Sequence, residues 1–349
     1  MIDTAMNDFV FDLSHDRLRD ILANTGEPSF RADQIWKALY VNLVENPKQI
    51  STLSKTLRNQ LTSSIAFSHI NLVTRVSSQD GMTSKALFRL PDGKTLESVL
   101  MRYDERNTLC ISSQSGCAMG CVFCATGQMG FARNLSSGEI VEQVLFFARE
   151  LASIGQVVTN IVLMGMGEPF HNYDAVLEAI RRLNDPRGFN LGARRFTIST
   201  VGIVPMIRRF ADEKNQVNLA ISLHSANDEQ RSSMLPVNRK YPVSELLDAC
   251  RYYVETTHRR ITFEWALIQE VNDFEQDARE LVALVKGLLC HVNIIPLNPT
   301  KKFTGKSTTH ERALAFQAVL VKNGIPCTIR LRRGLDINAG CGQLAASVQ

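Results

Sequence analysis

At 349 residues the chain is long enough for a sizeable core, in two domains or one large α/β domain. Its 44% hydrophobic and 21% charged content is that of an ordinary globular protein, and no apolar run approaches the roughly 20 residues of a membrane span, which excludes a membrane-embedded chain. A net charge of +4 permits a polyanionic partner without demanding one, and eight cysteines, three of them clustered, suit metal chemistry in a reducing compartment better than a disulfide framework.

The N-terminal stretch MIDTAMNDFVFDLSHD is mixed and partly acidic, unlike a secretory signal, which predicts a cytoplasmic protein. From about Ser14 to Phe67 the apolar spacing is helical. Leu18, Ile21 and Leu22 share a face, Gly26-Glu27-Pro28 breaks the run, and Ser29 is placed to cap a second helix carrying Ile35, Trp36 and Leu39. Leu53, Leu57 and Leu61 stripe a third segment, so three short helices can bury a small core together. Residues 70 to 103 change period: INLVTRV, KALFRL and LESVLMRY read as strands, with turns at Gln79-Asp80-Gly81 and Pro91-Asp92-Gly93. Glu97 lies inside the last of them, where a lone glutamate is ordinarily solvent-facing.

The stretch Ser113 to Leu135 holds Cys117, Cys121 and Cys124 in a C-x3-C-x2-C spacing among Gly116, Gly120, Gly127 and Gly130. Glycines let a short loop fold around an ion or cluster without steric cost. The residues alone leave three readings open. They can be three ligands of a 4Fe-4S cluster with one iron free for a substrate, part of a four-thiolate zinc site recruiting Cys110, or three buried thiols.

Beyond this loop, Ser136-x-x-Glu139 is a capping box opening a helix of about four turns, with Ile140, Val144, Ala148 and Leu151 on one face. Strands NIVLMG, RRFTIST, VNLAISLH, ITFEWALI, HVNIIPLN and PCTIRLR then alternate with helical stretches, which implies a parallel sheet with ligand groups at the carboxyl ends of its strands. At those ends stand Gly167 and Glu168, Ser199, Ser222-Leu223-His224, and Asn298. Each alone is an ordinary turn or structural residue; together they favour a nucleoside site. Cys341, between Gly340 and Gly342 in a loop expected to be flexible, is poorly explained as packing, whereas Cys250, Cys290 and Cys327 sit in apolar runs as buried thiols.

The cysteine loop and its continuation, CATGQMGFARNLSSGEIVEQV, resemble the RlmN/Cfr family of radical S-adenosylmethionine enzymes, and the likeness runs over nearly the whole chain. It implies an α/β protein with a partial (β/α)6 barrel: a helical RNA-binding accessory domain over residues 1–75, a β-rich linking segment over 76–102, the barrel over 103–336, and a C-terminal loop over 337–349 carrying Cys341. The resemblance further implies one 4Fe-4S cluster on Cys117, Cys121 and Cys124. S-Adenosylmethionine would be used twice per turnover and bound by Gly167, Glu168, Ser199, Ser222, Leu223, His224 and Asn298. In the family reaction Cys341 carries the methyl group as S-methylcysteine, a 5′-deoxyadenosyl radical activates it, and the resulting carbon radical joins the RNA to Cys341. Glu97 is the implied proton acceptor, and Cys110 resolves the adduct by a transient disulfide with Cys341.

The implied substrates are an adenosine of the peptidyl transferase loop of 23S rRNA and the adenosine 3′ of the anticodon in tRNAs, both methylated at C2. A flavodoxin or ferredoxin would supply electrons to a monomer without a membrane. The C8 branch of the family, which confers antibiotic resistance, is the alternative regiochemistry, and a non-catalytic zinc-dependent RNA-binding protein is the alternative of another class. Basic residues of the barrel loops, Arg133, Arg194, Arg195, Lys301, Lys302, Lys306, Arg332 and Arg333, are expected to meet phosphates.

Overall fold

The structure, a computed structural model, describes residues 8–346; the first residues of the mixed N-terminal stretch and the last three of the C-terminal loop lie outside the described residues. Strand β1 (Asp8–Phe9) precedes helices α1 (His15–Ala23), α2 (Phe30–Tyr40) and α3 (Lys55–Ser64), and β1 pairs in parallel with β2 (Ile65–Ala66). Ser14 and Ser54 cap α1 and α3 by accepting from the backbone N–H groups of Arg17 and Leu57. Ser29 makes no such bond, because its own backbone is already helical. Trp36, Tyr40, Leu57 and Leu61 are buried, the small core that the periodicity predicts.

The next four strands are β3 (Asn71–Ser77), β4 (Thr83–Arg89), β5 (Thr95–Tyr103) and β6 (Arg106–Cys110). They form an antiparallel meander that is continuous with the main sheet rather than a connector to it. A small hairpin of β7 (Gln114–Gly116) and β8 (Phe131–Asn134) brackets the cysteine loop and the short helix α4 (Ala125–Met129). Helix α5 (Ser137–Ser153) opens on the expected capping box: Ser136 Oγ accepts from Glu139 N, and the Glu139 carboxylate accepts from Ser136 N.

The alternation then runs β9 (Asn160–Leu163), α6 (Tyr173–Asn184), β10 (Phe196–Thr200), α7 (Val204–Asp212), β11 (Asn218–Ser222), α8 (Asp228–Met234), α9 (Val243–Thr257), β12 (Ile261–Leu267), α10 (Glu275–Val285), β13 (Cys290–Pro296), α11 (His310–Lys322) and β14 (Cys327–Ile329). The ten-stranded sheet has the order β14-β13-β12-β11-β10-β9-β6-β5-β4-β3, and β6 is parallel to β9. Seven parallel strands, β6 and β9 to β14, build the expected partial barrel of (β/α)6 type, and the antiparallel β3, β4 and β5 extend it. Buried Ile, Val, Leu and Phe of β9 to β13 pack under the helices, while the strand ends face a central cavity.

Candidate active site

The cysteine loop is tightly closed. Gly116 has φ +77, and a Cβ there would overlap the carbonyl of Gly130, to which Cys117 N donates a bond of 2.9 Å. Cys121 O accepts from Cys124 N at 3.1 Å, and Gln128 Nε2 donates to Val122 O at 2.7 Å. Burial pushes the Cys117 thiol up to about 12 and raises Cys121 well above its ordinary value; Glu168 and Cys124 add to the first, and Cys124 and Cys117 to the second. Such thiols stay protonated until a cation displaces the protons, which is the chemistry of a metal-binding set. Among the described residues no three His, Cys, Asp or Glu side chains converge closely enough to hold a single ion. Cys110 lines an adjoining cavity together with Cys341, whereas Cys121 and Cys124 border the central one.

Cys121 and Cys124 border the cavity at the carboxyl ends of the strands. Gly167, Glu168, Ser199, Ser222, His224 and Asn298 line it too, and so does Cys341. Leu223 does not: its side chain is fully buried, and its backbone joins Glu264 O and the Arg231 guanidinium. Gly167 has a local reason to be glycine, since at φ +105 a Cβ would stand 2.6 Å from Gln114 Cβ. Glu168 is buried and accepts from Phe170 N and Val201 N at 2.9 Å each, while burial raises its carboxyl to about 7. His224 accepts from Ala266 N through Nδ1 at 2.9 Å, which leaves the ring proton on Nε2. Burial, and then Arg231, lower its pKa to about 3, so the ring is a neutral donor.

The C-terminal loop is pinned rather than free. Asn298 Nδ2 donates to Cys341 O at 3.0 Å, Ala125 N to Gly342 O at 2.7 Å, and Thr126 Oγ1 to Leu344 O at 2.6 Å. Glu97 Oε2 accepts from Ala345 N and Ala346 N, and its Oε1 pairs with Lys85 Nζ at 3.0 Å, both side chains being buried. Glu97 is thus not the solvent-facing strand residue of its type but the anchor of the tail. Cys341 is exposed, and its thiol and that of Cys110 are both free. Burial, and next the neighbouring Cys341, push Cys110 up to about 12.

Several side chains of this site carry no sequence signal. Arg330 Nη1 stands 3.9 Å from Cys341 Sγ and 3.9 Å from Glu264 Oε2. Arg231, fully buried, donates to the carbonyls of Leu223, Val201 and Ser222, tying two strand ends together. Arg133, expected to meet phosphates, is spent on Asp92 and Glu139 at 2.5 and 2.8 Å.

Residues 111–285 match the family described as the Radical SAM superfamily, and residues 10–66 match the Ribosomal RNA large subunit methyltransferase N-terminal domain. The chain is 48% identical to the probable dual-specificity RNA methyltransferase RlmN of Chloroflexus aurantiacus, covering 96% of this chain and 92% of that one. It is 47% identical to the dual-specificity RNA methyltransferase RlmN 1 of Myxococcus xanthus, covering 99% and 96%. A crystal structure of a radical SAM methyltransferase from Sphaerobacter thermophilus superposes with a TM-score of 0.96 at 49% identity, covering 97% of this chain and 100% of that one. The open barrel, the cysteine loop at its rim and these likenesses together place the chain in the RlmN family of the radical SAM superfamily.

Proposed function

We propose that this protein is a radical S-adenosylmethionine RNA methyltransferase that methylates C2 of adenosine in 23S rRNA and in tRNA. The observation that carries the reading is that Cys341 opens into the same cavity as Cys121, Cys124 and the polar strand-end residues. Family membership implies a 4Fe-4S cluster and S-adenosylmethionine. The triplet Cys117, Cys121 and Cys124 would hold the first, and Gly167, Glu168, Ser199, Ser222, His224 and Asn298, which line the cavity as Leu223 does not, the second. When bound, they supply a methyl group and the one-electron chemistry that carries it to an aromatic carbon.

The rest falls to the chain. Cys341 accepts the methyl group on Sγ, with the Arg330 guanidinium beside it favouring the anionic sulfur. Asn298 holds the Cys341 carbonyl, and with it the sulfur, over the cavity. Glu97 takes the ring proton once the tail amides release its Oε2, and Cys110 frees the product by pairing with Cys341 in a disulfide that external thiols reduce. Two molecules of S-adenosylmethionine are consumed per turnover. A small flavodoxin- or ferredoxin-type protein is the electron source, and the enzyme is a cytoplasmic monomer. Among the described residues no helix is long and apolar enough to cross a membrane.

Nucleoside mass spectrometry tests this reading on rRNA and tRNA from cells lacking the gene, treated with anaerobically purified protein, reductant and S-adenosylmethionine. Newly formed 2-methyladenosine in both RNAs is expected. Formation of 8-methyladenosine moves the chain to the C8 branch, and no methyladenosine from an iron-loaded preparation overturns the reading.

A further inference from the structure

The barrel has a second cavity, of about 950 Å³, at the opposite mouth. Thr197, Asn218, Thr262 and His291, which lie in the first two residues of their strands, line it, whereas the strand-end residues Ser199 and Ser222 line the first cavity. Met164, Glu264 and Arg330 border both and form the partition. Its charge is one-sided: five guanidiniums face it, from Arg106, Arg194, Arg259, Arg260 and Arg330, against the single carboxylate of Glu264.

That carboxylate is already engaged by Asn293 Nδ2 at 3.0 Å and by Arg330. Among the described residues the other four arginines form no ion pair, although most arginines elsewhere in the barrel and helical unit do. Neutral groups hold two of them in place instead. Gln216 Oε1 accepts from both Arg194, at 3.3 Å, and Arg259, at 3.1 Å, and Asn218 Oδ1 accepts from Arg259 at 2.8 Å. An amide oxygen orients a guanidinium without neutralising it. Arg259 Nε and His291 Nδ1 are buried beside the cavity with no hydrogen-bond partner among the described residues. His258, at φ +55, closes α9 in the left-handed conformation and so turns the His258-Arg259-Arg260 run into the mouth.

Planar guanidinium forks fixed side by side match the oxygens of phosphate, and the volume suits several phosphates rather than one ion. The cavity lining has no Phe, Tyr or Trp ring to stack a base. We propose that this mouth is a second ligand site that binds vicinal phosphates, of a free oligophosphate or of an RNA chain, through Arg194, Arg259 and Arg260. The site stands apart from the methyl-transfer centre, and its test does not depend on methylation.

The test is isothermal titration of the full chain with sodium tripolyphosphate. One saturable site is expected, weakened by salt and at least tenfold weaker in Arg259→Gln/Arg260→Gln, with Lys55→Gln on α3 unchanged. Arg194→Gln, an exposed residue whose loss leaves the fold intact, is expected to weaken binding several-fold and covers the case of a misfolded double variant. Absence of saturable binding, or undiminished binding in both arginine variants, overturns the proposal. Competition assigns the source. Displacement of bound tRNA by tripolyphosphate, with weaker tRNA binding in the arginine variants, identifies the phosphates as those of RNA, and unaffected tRNA binding identifies a free oligophosphate.

Discussion

Arg330 Nη1 lies 3.9 Å from the Sγ of Cys341, and the same guanidinium is held from the other side by Glu264. The nearby thiol is the largest influence raising Arg330. Replacing Arg330 by Met removes the cation from the sulfur. Iodoacetamide alkylation of Cys341 is expected to slow several-fold once the neighbouring cation is lost, with partial recovery in Arg330→Lys. Peptide mass spectrometry against time reads the rate, and an unchanged rate in Arg330→Met refutes the role.

Lys85 and Glu97 form a buried pair that also holds the tail, since Lys85 Nζ donates to Asn338 O at 3.2 Å. Lys85→Met leaves the Glu97 carboxylate buried against two amides and no cation. Breaking one partner of such a pair costs about 3–5 kcal/mol. A lower melting temperature and faster proteolysis after residue 336 are expected together; a lower melting temperature with a fully protected tail contradicts the anchoring.

Glu142 of α5 receives Ser68 Oγ at 2.5 Å and the backbone N–H groups of His69 and Ile70 at 2.8 and 3.1 Å, yet burial outweighs these bonds and raises its carboxyl to about 7. The folded protein therefore keeps a proton here that the unfolded chain loses above pH 4.5. Stability from this group falls as pH rises from about 4.5 to 7 and is level beyond, by up to about 3 kcal/mol. Denaturant midpoints across pH 5 to 8 are expected to decline in the wild type and to flatten in Glu142→Gln; parallel curves rule the assignment out.

On the proposed function each cysteine of the triplet is a cluster ligand, and Cys124 is the least buried of the three. Cys124→Ala, half-buried at the cavity edge, is expected to fold with near-native melting but to purify with little iron and no methyl transfer. Iron analysis beside circular dichroism is decisive: full iron content in the folded variant would exclude Cys124 as a ligand.

Lys301 and Lys302 are exposed on the loop after β13, shortly beyond Asn298 in sequence. Changing both to Glu is expected to weaken tRNA binding and to reduce the slope of log affinity against log salt by about 1 to 2, as two lost phosphate contacts require. Filter binding at several salt concentrations measures it, and an unchanged slope places the RNA elsewhere.

What the sequence made legible was local. The Ser136–Glu139 capping box and the polar residues closing successive strands each depend on neighbours a few positions away; the box forms as read, and Ser199, Ser222, His224 and Asn298 line one cavity. What it hid is set by distant pairing. Glu97 has the pattern of a surface strand residue, but Lys85 and the tail bury it. Arg330 and Glu264, 66 positions apart, meet only because β12, β13 and β14 are adjacent in the sheet. The flanking glycines of Cys341 suggest mobility, which bonds to Asn298, Ala125 and Thr126 cancel.

The contact between Glu97 and Ala345 spans 248 positions. Sequence order puts the sulfur far from the strand that anchors its loop, so only the folded sheet brings that loop to the cavity. On the proposed function, a chain cut between the barrel and Cys341 keeps the cysteine triplet and loses the acceptor thiol. Cluster binding and methyl acceptance are thereby separable by one cleavage.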